Sequence, residues 1–174
     1  MSYPQVLLNS ITLANALNDS TFTDAWAANA TASKAAIQSQ LWMDSVGMFR
    51  DNTTTDMAPQ DGNALALLYN LTVDDTQKQS ISKGLTAFWG ATGAVTPERL
   101  NTISPFVGGF EVGSFALAAA PKSHVAALLA VISTVIRDFH GYPESLTSSV
   151  RQIQAHFVAG QGERALDLIR LQWG

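Results

Sequence analysis

The sequence has 174 residues, of which 47% are apolar and 14% are charged, a composition typical of one globular domain and not of a disordered chain. The formal net charge is −4 and the ten basic residues are spread thinly, so nucleic acid is not an expected partner. Because the chain has no cysteine, disulfides, thiolate metal sites and a cysteine nucleophile are all excluded.

The first quarter of the chain predicts two long helices. Apolar residues form a broad face over residues 4–18, at the spacing of a helix. Ser20 or Thr21 is the predicted N-cap of the next helix, which runs through alanine-rich sequence of high helix propensity. Gly47 ends that segment, and the polar stretch that follows predicts a loop.

Further helices are predicted after this loop. The segment "QDGNALALLYNL" predicts a helix over residues 60–71 despite its glycine. Asp74 or Asp75 is the predicted cap of another helix, which continues to a glycine at position 90. Thr96, followed by a proline and a glutamate, is a third helix start signal.

The chain as a whole predicts an all-α fold. No stretch shows sustained period-2 alternation, and predicted helices of about 12–20 residues are joined by short polar loops. The longest apolar run, residues 125–136, has 12 residues, whereas a membrane-spanning helix needs about 20. We therefore expect stacked helical hairpins, with this run as a buried helix, and no membrane partner.

Common catalytic and cofactor motifs are absent from the sequence. There is no dinucleotide-binding or phosphate-binding glycine loop, no nucleophile elbow and no paired-histidine zinc motif. Thr53 and Thr55 occupy loop positions where a calcium site needs Asp or Asn. The three histidines are far apart, and the four tryptophans are interpreted as core anchors, with stacking against sugar rings as the alternative. We expect no cofactor and no metal.

Four Asn-x-Ser/Thr sequons are candidates for N-glycosylation: Asn18, Asn29, Asn52 and Asn70. Their number is a mild excess over chance and is typical of a secreted glycoprotein. The alternative is a polar surface that matches the pattern by coincidence. The N-terminus of this chain lacks the basic start and the apolar run of a signal peptide.

Four segments occur in an order typical of one enzyme family: "LWMDSVGMFRDN" (41–52), "PQDGNALALLYNL" (59–71), "LNTISPFVGGFEV" (100–112) and "AHFVAGQGERALDLIRLQWG" (155–174). Together they resemble the later part of the catalytic domain of fungal α-L-rhamnosidase-type six-hairpin glycosidases. The resemblance covers roughly residues 12–112 and 155–174. It implies part of an (α/α)6 toroid, in which helical hairpins form two concentric rings with the sugar site at one end.

The resemblance also implies inverting hydrolysis of terminal α-L-rhamnosides. One carboxyl group protonates the departing oxygen and a second, roughly 6.5–9.5 Å away, activates a water on the opposite face of the sugar. In the family the general acid precedes the region matched here, and the general base follows a helix ending in Trp-Gly, which corresponds to Trp173 and Gly174. We therefore expect both catalytic carboxylates to lie outside this chain.

The candidates for lining or supporting the sugar pocket are Gln60, Asp61, Glu111 and His156. Asp61 and Glu111 are the best placed, because both fall in family-like motifs near predicted helix starts or bends. The alternative is that these side chains form indirect or capping hydrogen bonds, and Asp61 in particular suits a helix cap.

Residues 113–154 interrupt the resemblance. They carry a net charge of +1, against −5 for the rest of the chain. Two interpretations stay open: a helical insertion built around residues 123–139, or an intron read through as coding sequence, which we favour. Sequencing the transcript distinguishes them, since a message that contains these 42 codons in most copies defeats the intron hypothesis.

The sequence thus predicts a partial six-hairpin glycosidase domain over residues 1–174, from a secreted parent enzyme that acts on a rhamnose-containing glycoside. On its own the chain is expected to be inactive. A partial ring leaves helices without neighbours, so exposed apolar surface and self-association are expected. The alternative is a non-catalytic all-helical domain that binds a partner through an apolar groove.

Overall fold

The computed structural model describes residues 1–90, 93–99, 102, 104, 107, 108, 110, 162, 163 and 166. Within these residues the chain is mostly helical, which confirms the helical class predicted from the sequence. Four α-helices occur there together with two antiparallel pairs of very short strands. In chain order the elements are α1 (Tyr3–Ala16), α2 (Thr23–Leu41), β1 (Trp42–Met43), β2 (Met48–Phe49), α3 (Gln60–Leu68), α4 (Asp75–Thr86), β3 (Trp89–Gly90) and β4 (Gly93–Ala94).

Several predictions concern segments beyond this part of the chain. The candidate pocket residues Glu111 and His156 lie outside the described residues, and so do the interrupting stretch 113–154 and the apolar run within it. No helix of the described ranges combines the length and the hydropathy that crossing a bilayer requires.

The turn between α1 and α2 differs from the predicted capping. α1 ends at Ala16, and Asn18 adopts a left-handed conformation with φ of 56°. Neither Ser20 nor Thr21 caps α2, because the residue at the N-cap position is Phe22. The hydroxyl of Thr21 instead donates to Asp19 Oδ1 at 2.6 Å, and its backbone N–H donates to the same oxygen. These two bonds hold the pKa of the Asp19 carboxyl below its ordinary value.

A short β-hairpin follows α2, where the sequence predicted only the end of a helix. Trp42 pairs with Phe49 and Met43 with Met48 in an antiparallel register. The connecting turn is closed by a hydrogen bond from the backbone N–H of Gly47 to the carbonyl of Met43 at 2.7 Å. Two-residue strands are too short to show an alternating pattern, so the prediction of an entirely helical chain missed them.

Gly47 is the position in this hairpin where a side chain is excluded. Its φ is +71°, and a Cβ placed there would overlap Ser80 Oγ and lie 3.2 Å from Ser80 Cβ on α4. We expect Gly47→Ala to lower the free energy of unfolding by about 2 kcal/mol or more, since the left-handed conformation alone costs roughly 1–2 kcal/mol. Urea denaturation measures the change.

The Ser80→Ala background provides the control for this prediction. Removing Oγ relieves the overlap but leaves the left-handed backbone, so Gly47→Ala is expected to cost less in that background than in the wild type. Equal costs in the two backgrounds would show that Gly47 and Ser80 do not approach each other closely.

Helix α4 begins after one of the two predicted caps, but it ends earlier than predicted. Asp74 is the N-cap of α4, and its carboxylate accepts a hydrogen bond from the backbone N–H of Gln77 at 2.8 Å. The helix ends at Thr86 and does not continue to residue 90. Trp89 and Gly90 instead belong to β3, which pairs with β4.

The third predicted helix start forms a closed turn. The carbonyl of Thr96 accepts from the N–H of Arg99, and the N–H of Thr96 donates to the carbonyl of Thr102 at 2.9 Å. Pro97 therefore occupies a turn and not the first position of a helix. The same residue types favour both structures, because proline suits the second position of a turn as well as a helix start.

The core lies where β2, α3 and α4 meet. Phe49 at the end of the hairpin is fully buried, as are Ala64 of α3 and Ile81 of α4. One buried cluster joins these elements to the second hairpin: Met48, Phe49, Ala64, Ala66, Leu67, Leu71, Ile81, Leu85, Ala94 and Phe110. The first hairpin thus packs against α3 and α4, and the loop that follows it is held close to the start of α3.

Candidate functional site

An open cleft of about 380 Å³ lies at the N-terminal end of α3. Its lining combines three carboxylates with apolar side chains and one hydroxyl. The described residues that line it are Asp51, Met57, Pro59, Asp61, Thr96, Glu98 and Val107. The walls come from the loop after β2, the first turn of α3 and the turn that contains Pro97, so segments far apart in the chain converge here.

Asp61 stands in the first turn of α3, on the rim of the cleft. The N-cap position belongs to Pro59, so Asp61 is not the cap of the helix. Its Oδ1 accepts a hydrogen bond from the backbone N–H of Gly62 at 2.6 Å, and its side chain is exposed to solvent. A carboxylate is favoured at this end of a helix by the unpaired N–H groups and the helix dipole.

Glu98 supplies the capping interaction that the local sequence of α3 lacks. Its Oε1 accepts a hydrogen bond from the backbone N–H of Gln60 at 2.7 Å, across 38 positions of sequence. No side chain at the N-cap position of α3 forms such a bond. The contact ties the turn after Thr96 to the start of α3 and holds one carboxylate oxygen of Glu98 in the cleft wall.

Asp51 belongs to a loop that is closed by its own hydrogen bonds. The N–H of Asp51 donates to the carbonyl of Met57 at 2.9 Å. Asp51 Oδ2 accepts from Asn52 Nδ2 at 2.9 Å, and Asn52 Oδ1 accepts from both the N–H and the hydroxyl of Thr54. This network folds the polar loop back on itself, which places Asp51 in the lining of the cleft.

Asn63 links the loop after β2 to helix α3. Its side chain is fully buried; its Oδ1 accepts from the N–H of Phe49, and its Nδ2 donates to the carbonyls of Phe49 and Pro59, all at 2.8 Å. Phe49 and Pro59 flank the loop that carries Asp51. One side chain therefore holds both ends of that loop against α3.

The lining determines which ligands the cleft suits. Three carboxylates and no basic side chain occur among its described residues, so it disfavours phosphates and other anions. Carboxylate oxygens are strong acceptors for hydroxyl groups, and Met57, Pro59 and Val107 offer apolar surface beside them. No group of three or more His, Cys, Asp or Glu side chains that could hold a metal ion occurs in the described part of the chain. A neutral ligand with several hydroxyls fits this chemistry.

The structure brings together two of the four pocket candidates. Asp61 lines the cleft, whereas the side chain of Gln60 is buried beside it and its backbone bonds to Glu98. Asp51 and Glu98 were not among the candidates. Asp51 stands in the family-like segment 41–52 but was not selected, and no local signal indicates that Glu98 reaches a residue 38 positions away.

The chain matches no protein-family model and no curated protein.

Proposed function

We propose that this chain is part of an α-L-rhamnosidase-like glycoside hydrolase and that its cleft contacts the sugar. The observation that carries the proposal is the acidic cleft at the start of α3, which contains Asp61 of the family-like segment "PQDGNALALLYNL". The mostly helical character of the described residues is compatible with the (α/α)6 toroid that the resemblance implies. The toroid itself is proposed on the basis of the resemblance.

The chemistry of the cleft supports a deoxy sugar as its ligand. The hydroxyl groups of a rhamnoside can donate hydrogen bonds to Asp61 and Glu98. Its methyl group and C–H faces suit the apolar side chains of Met57 and Val107. These carboxylates are assigned to binding. The general acid and base, which hydrolysis with inversion requires, are proposed to belong to parts of the enzyme outside this chain.

Binding of a rhamnoside to the purified chain tests this proposal. We expect methyl α-L-rhamnoside to bind without being hydrolysed, as followed by ligand-observed NMR. Asp61→Asn is expected to weaken binding about tenfold, because a hydrogen bond to a charged acceptor contributes about 1.5–3 kcal/mol and one to a neutral acceptor about 0.5–1.5 kcal/mol. Glu98→Gln is expected to weaken it less, since the amide oxygen still accepts from Gln60.

The matched control is Asp24→Asn, which neutralises an exposed carboxylate in the first turn of α2, outside the cleft lining. This variant is expected to bind like the wild type. If Asp24→Asn weakened binding as much as Asp61→Asn, the effect would come from the net charge of the chain and not from a contact in the cleft. Binding of methyl α-D-glucoside with the same affinity, or no binding of either sugar, would contradict the assignment to a rhamnosidase.

A second function, a non-catalytic domain that binds a protein partner, is favoured by the surface of α1. Four large apolar side chains of this helix are more than half exposed: Tyr3, Val6, Leu13 and, just past its end, Leu17. The flanking genomic DNA discriminates between the functions. A frame that encodes an acidic, arginine-containing segment upstream and a Trp-Glu segment downstream supports the hydrolase, and true start and stop signals with neither support the binding domain.

A further inference from the structure

The four sequons occupy different structural settings, and these settings distinguish them as acceptors of a glycan. We propose that Asn52 is the residue of this chain that becomes N-glycosylated. The proposal goes beyond the sugar-binding cleft and assumes only that the chain enters a secretory compartment. It depends on the contacts of each acceptor amide and of the hydroxyl two residues later, because the sequon requires both groups.

Asn52 presents its amide and its sequon hydroxyl together on an exposed loop. The hydroxyl of Thr54 donates to Asn52 Oδ1 at 2.6 Å, and the N–H of Thr54 donates to the same oxygen at 2.9 Å. All three residues of this sequon are exposed, and none belongs to a helix or strand. A transferase can therefore surround the acceptor and the hydroxyl without unfolding a secondary-structure element.

The folded loop also tolerates the product. Asn52 Nδ2 carries two hydrogens, and one of them donates to Asp51 Oδ2 at 2.9 Å. Within the described ranges Nδ2 makes this one hydrogen bond, so its second hydrogen remains without a partner there. Replacing that second hydrogen with a sugar leaves the bond to Asp51 and the two bonds from Thr54 intact.

Asn29 and Asn70 lack this arrangement. Asn29 lies inside α2, and the hydroxyl of its sequon, on Thr31, donates to the carbonyl of Ala27 one turn earlier. Asn70 is exposed, but the side chain of Thr72 in its sequon is buried, with a relative exposure of 3%. Glycosylation of Asn29 would require α2 to unwind, and glycosylation of Asn70 would require the hydroxyl of Thr72 to leave the interior.

Asn18 is the strongest competitor, because it and Ser20 are both exposed. Its backbone, however, closes the end of α1: the N–H of Asn18 donates to the carbonyl of Asn15, and φ is 56°. No hydrogen bond within the described residues joins its side chain to Ser20, whose carbonyl accepts from Thr23. The acceptor and its hydroxyl are not held together as they are at Asn52.

The modification is a group transfer from a polyprenyl-diphosphate-linked oligosaccharide, catalysed by the host transferase. A bond forms between Asn52 Nδ2 and the anomeric carbon of the first sugar. The bond between that carbon and the diphosphate oxygen breaks, and the diphosphate leaves with its electron pair. Nδ2 loses one proton to a basic group of the transferase, so charge and atoms balance.

The test uses the full 174-residue chain, secreted from a eukaryotic host behind a cleavable signal peptide. Intact mass is measured before and after treatment with peptide N-glycosidase, and peptide mapping locates the modified asparagine. We expect one glycan, attached to Asn52. Asn52→Gln and Thr54→Ala are each expected to lose the whole glycan mass, whereas Thr54→Ser is expected to keep it.

The matched controls are Asn18→Gln, Asn29→Gln and Asn70→Gln, which are expected to retain the glycan. The peptide map of the wild type gives the answer even where a variant folds poorly. Occupancy at another sequon equal to or above that at Asn52, or a chain without any glycan, would overturn the proposal. Rhamnoside binding is measured on chain produced in bacteria, without glycans, so the two proposals fail independently.

Discussion

Replacing Phe49 with alanine is expected to lower the free energy of unfolding by about 3–5 kcal/mol. The side chain is fully buried in the core cluster, and its ring meets that of Trp42 edge-on, with 5.1 Å between the centroids. The substitution removes this contact and leaves a cavity between the first hairpin and the two helices on which it packs. Because small domains unfold with about 5–15 kcal/mol, the loss takes a large share of the total.

Denaturation by urea, followed by circular dichroism, measures this loss, and Phe22→Ala is its matched control. The Phe22 side chain is 57% exposed and stacks on Trp26 with 5.9 Å between centroids. Its removal is expected to cost less than about 1 kcal/mol, since little apolar area leaves water there. Similar costs for the two substitutions would contradict the placement of the core at the first hairpin.

Asn63→Ala is expected to lower the free energy of unfolding by at least about 3 kcal/mol. The substitution removes three hydrogen bonds and leaves the N–H and the carbonyl of Phe49 without that partner in a buried region, whereas the carbonyl of Pro59 still accepts from the backbone N–H of residue 63. Each buried polar group left unsatisfied costs about 1–3 kcal/mol. Because Phe49 and Pro59 flank the loop that carries Asp51, the same change is expected to weaken rhamnoside binding.

Two further variants separate the loss of these bonds from a general effect of the substitution. Asn9→Ala removes an exposed amide that accepts one bond from Gln5 Nε2, and it is expected to cost less than about 1 kcal/mol. Asn63→Asp keeps the acceptor for the N–H of Phe49 but turns a carboxylate oxygen toward two carbonyl oxygens. It is expected to be as destabilising as alanine at neutral pH.

The pH dependence of Asn63→Asp follows from burial. Burial and the two carbonyls disfavour the ionised form, so the pKa of the new carboxyl is expected to rise above its value in the unfolded chain. A group with a raised pKa is less destabilising when it is protonated, and the variant should therefore recover stability as the pH falls. A variant whose stability relative to wild type stays constant down to acidic pH would show that Asn63 is not buried against these carbonyls.

Within the described part of the chain, the sequence predicted some residues of the candidate site and missed others. The segment 60–71 predicted a helix, and α3 begins at the first residue of that segment. Asp61 was selected because it falls in a family-like motif near this predicted helix start, and it is one of the residues that line the cleft. The opposite wall was not predicted, because Glu98 reaches the site through a turn that resembles a helix start in sequence. The family-like motif pointed to one side of the cleft and carried no information on the other.

Apolar spacing, alanine content and the capping aspartate at position 74 were enough to predict a mostly helical chain, because these interactions act within one or two turns of a helix. The two short hairpins, the closed turn after Thr96 and the burial of Asn63 were decided by tertiary contacts. The contacts that hold them in place join residues 14 or more positions apart, as between Asn63 and Phe49 or Glu98 and Gln60, or pack the strand residues on helices that they meet only in the folded chain. Because an interaction between distant residues produces no periodic pattern in either segment, the position of the cleft is determined by the tertiary structure and not by the local sequence.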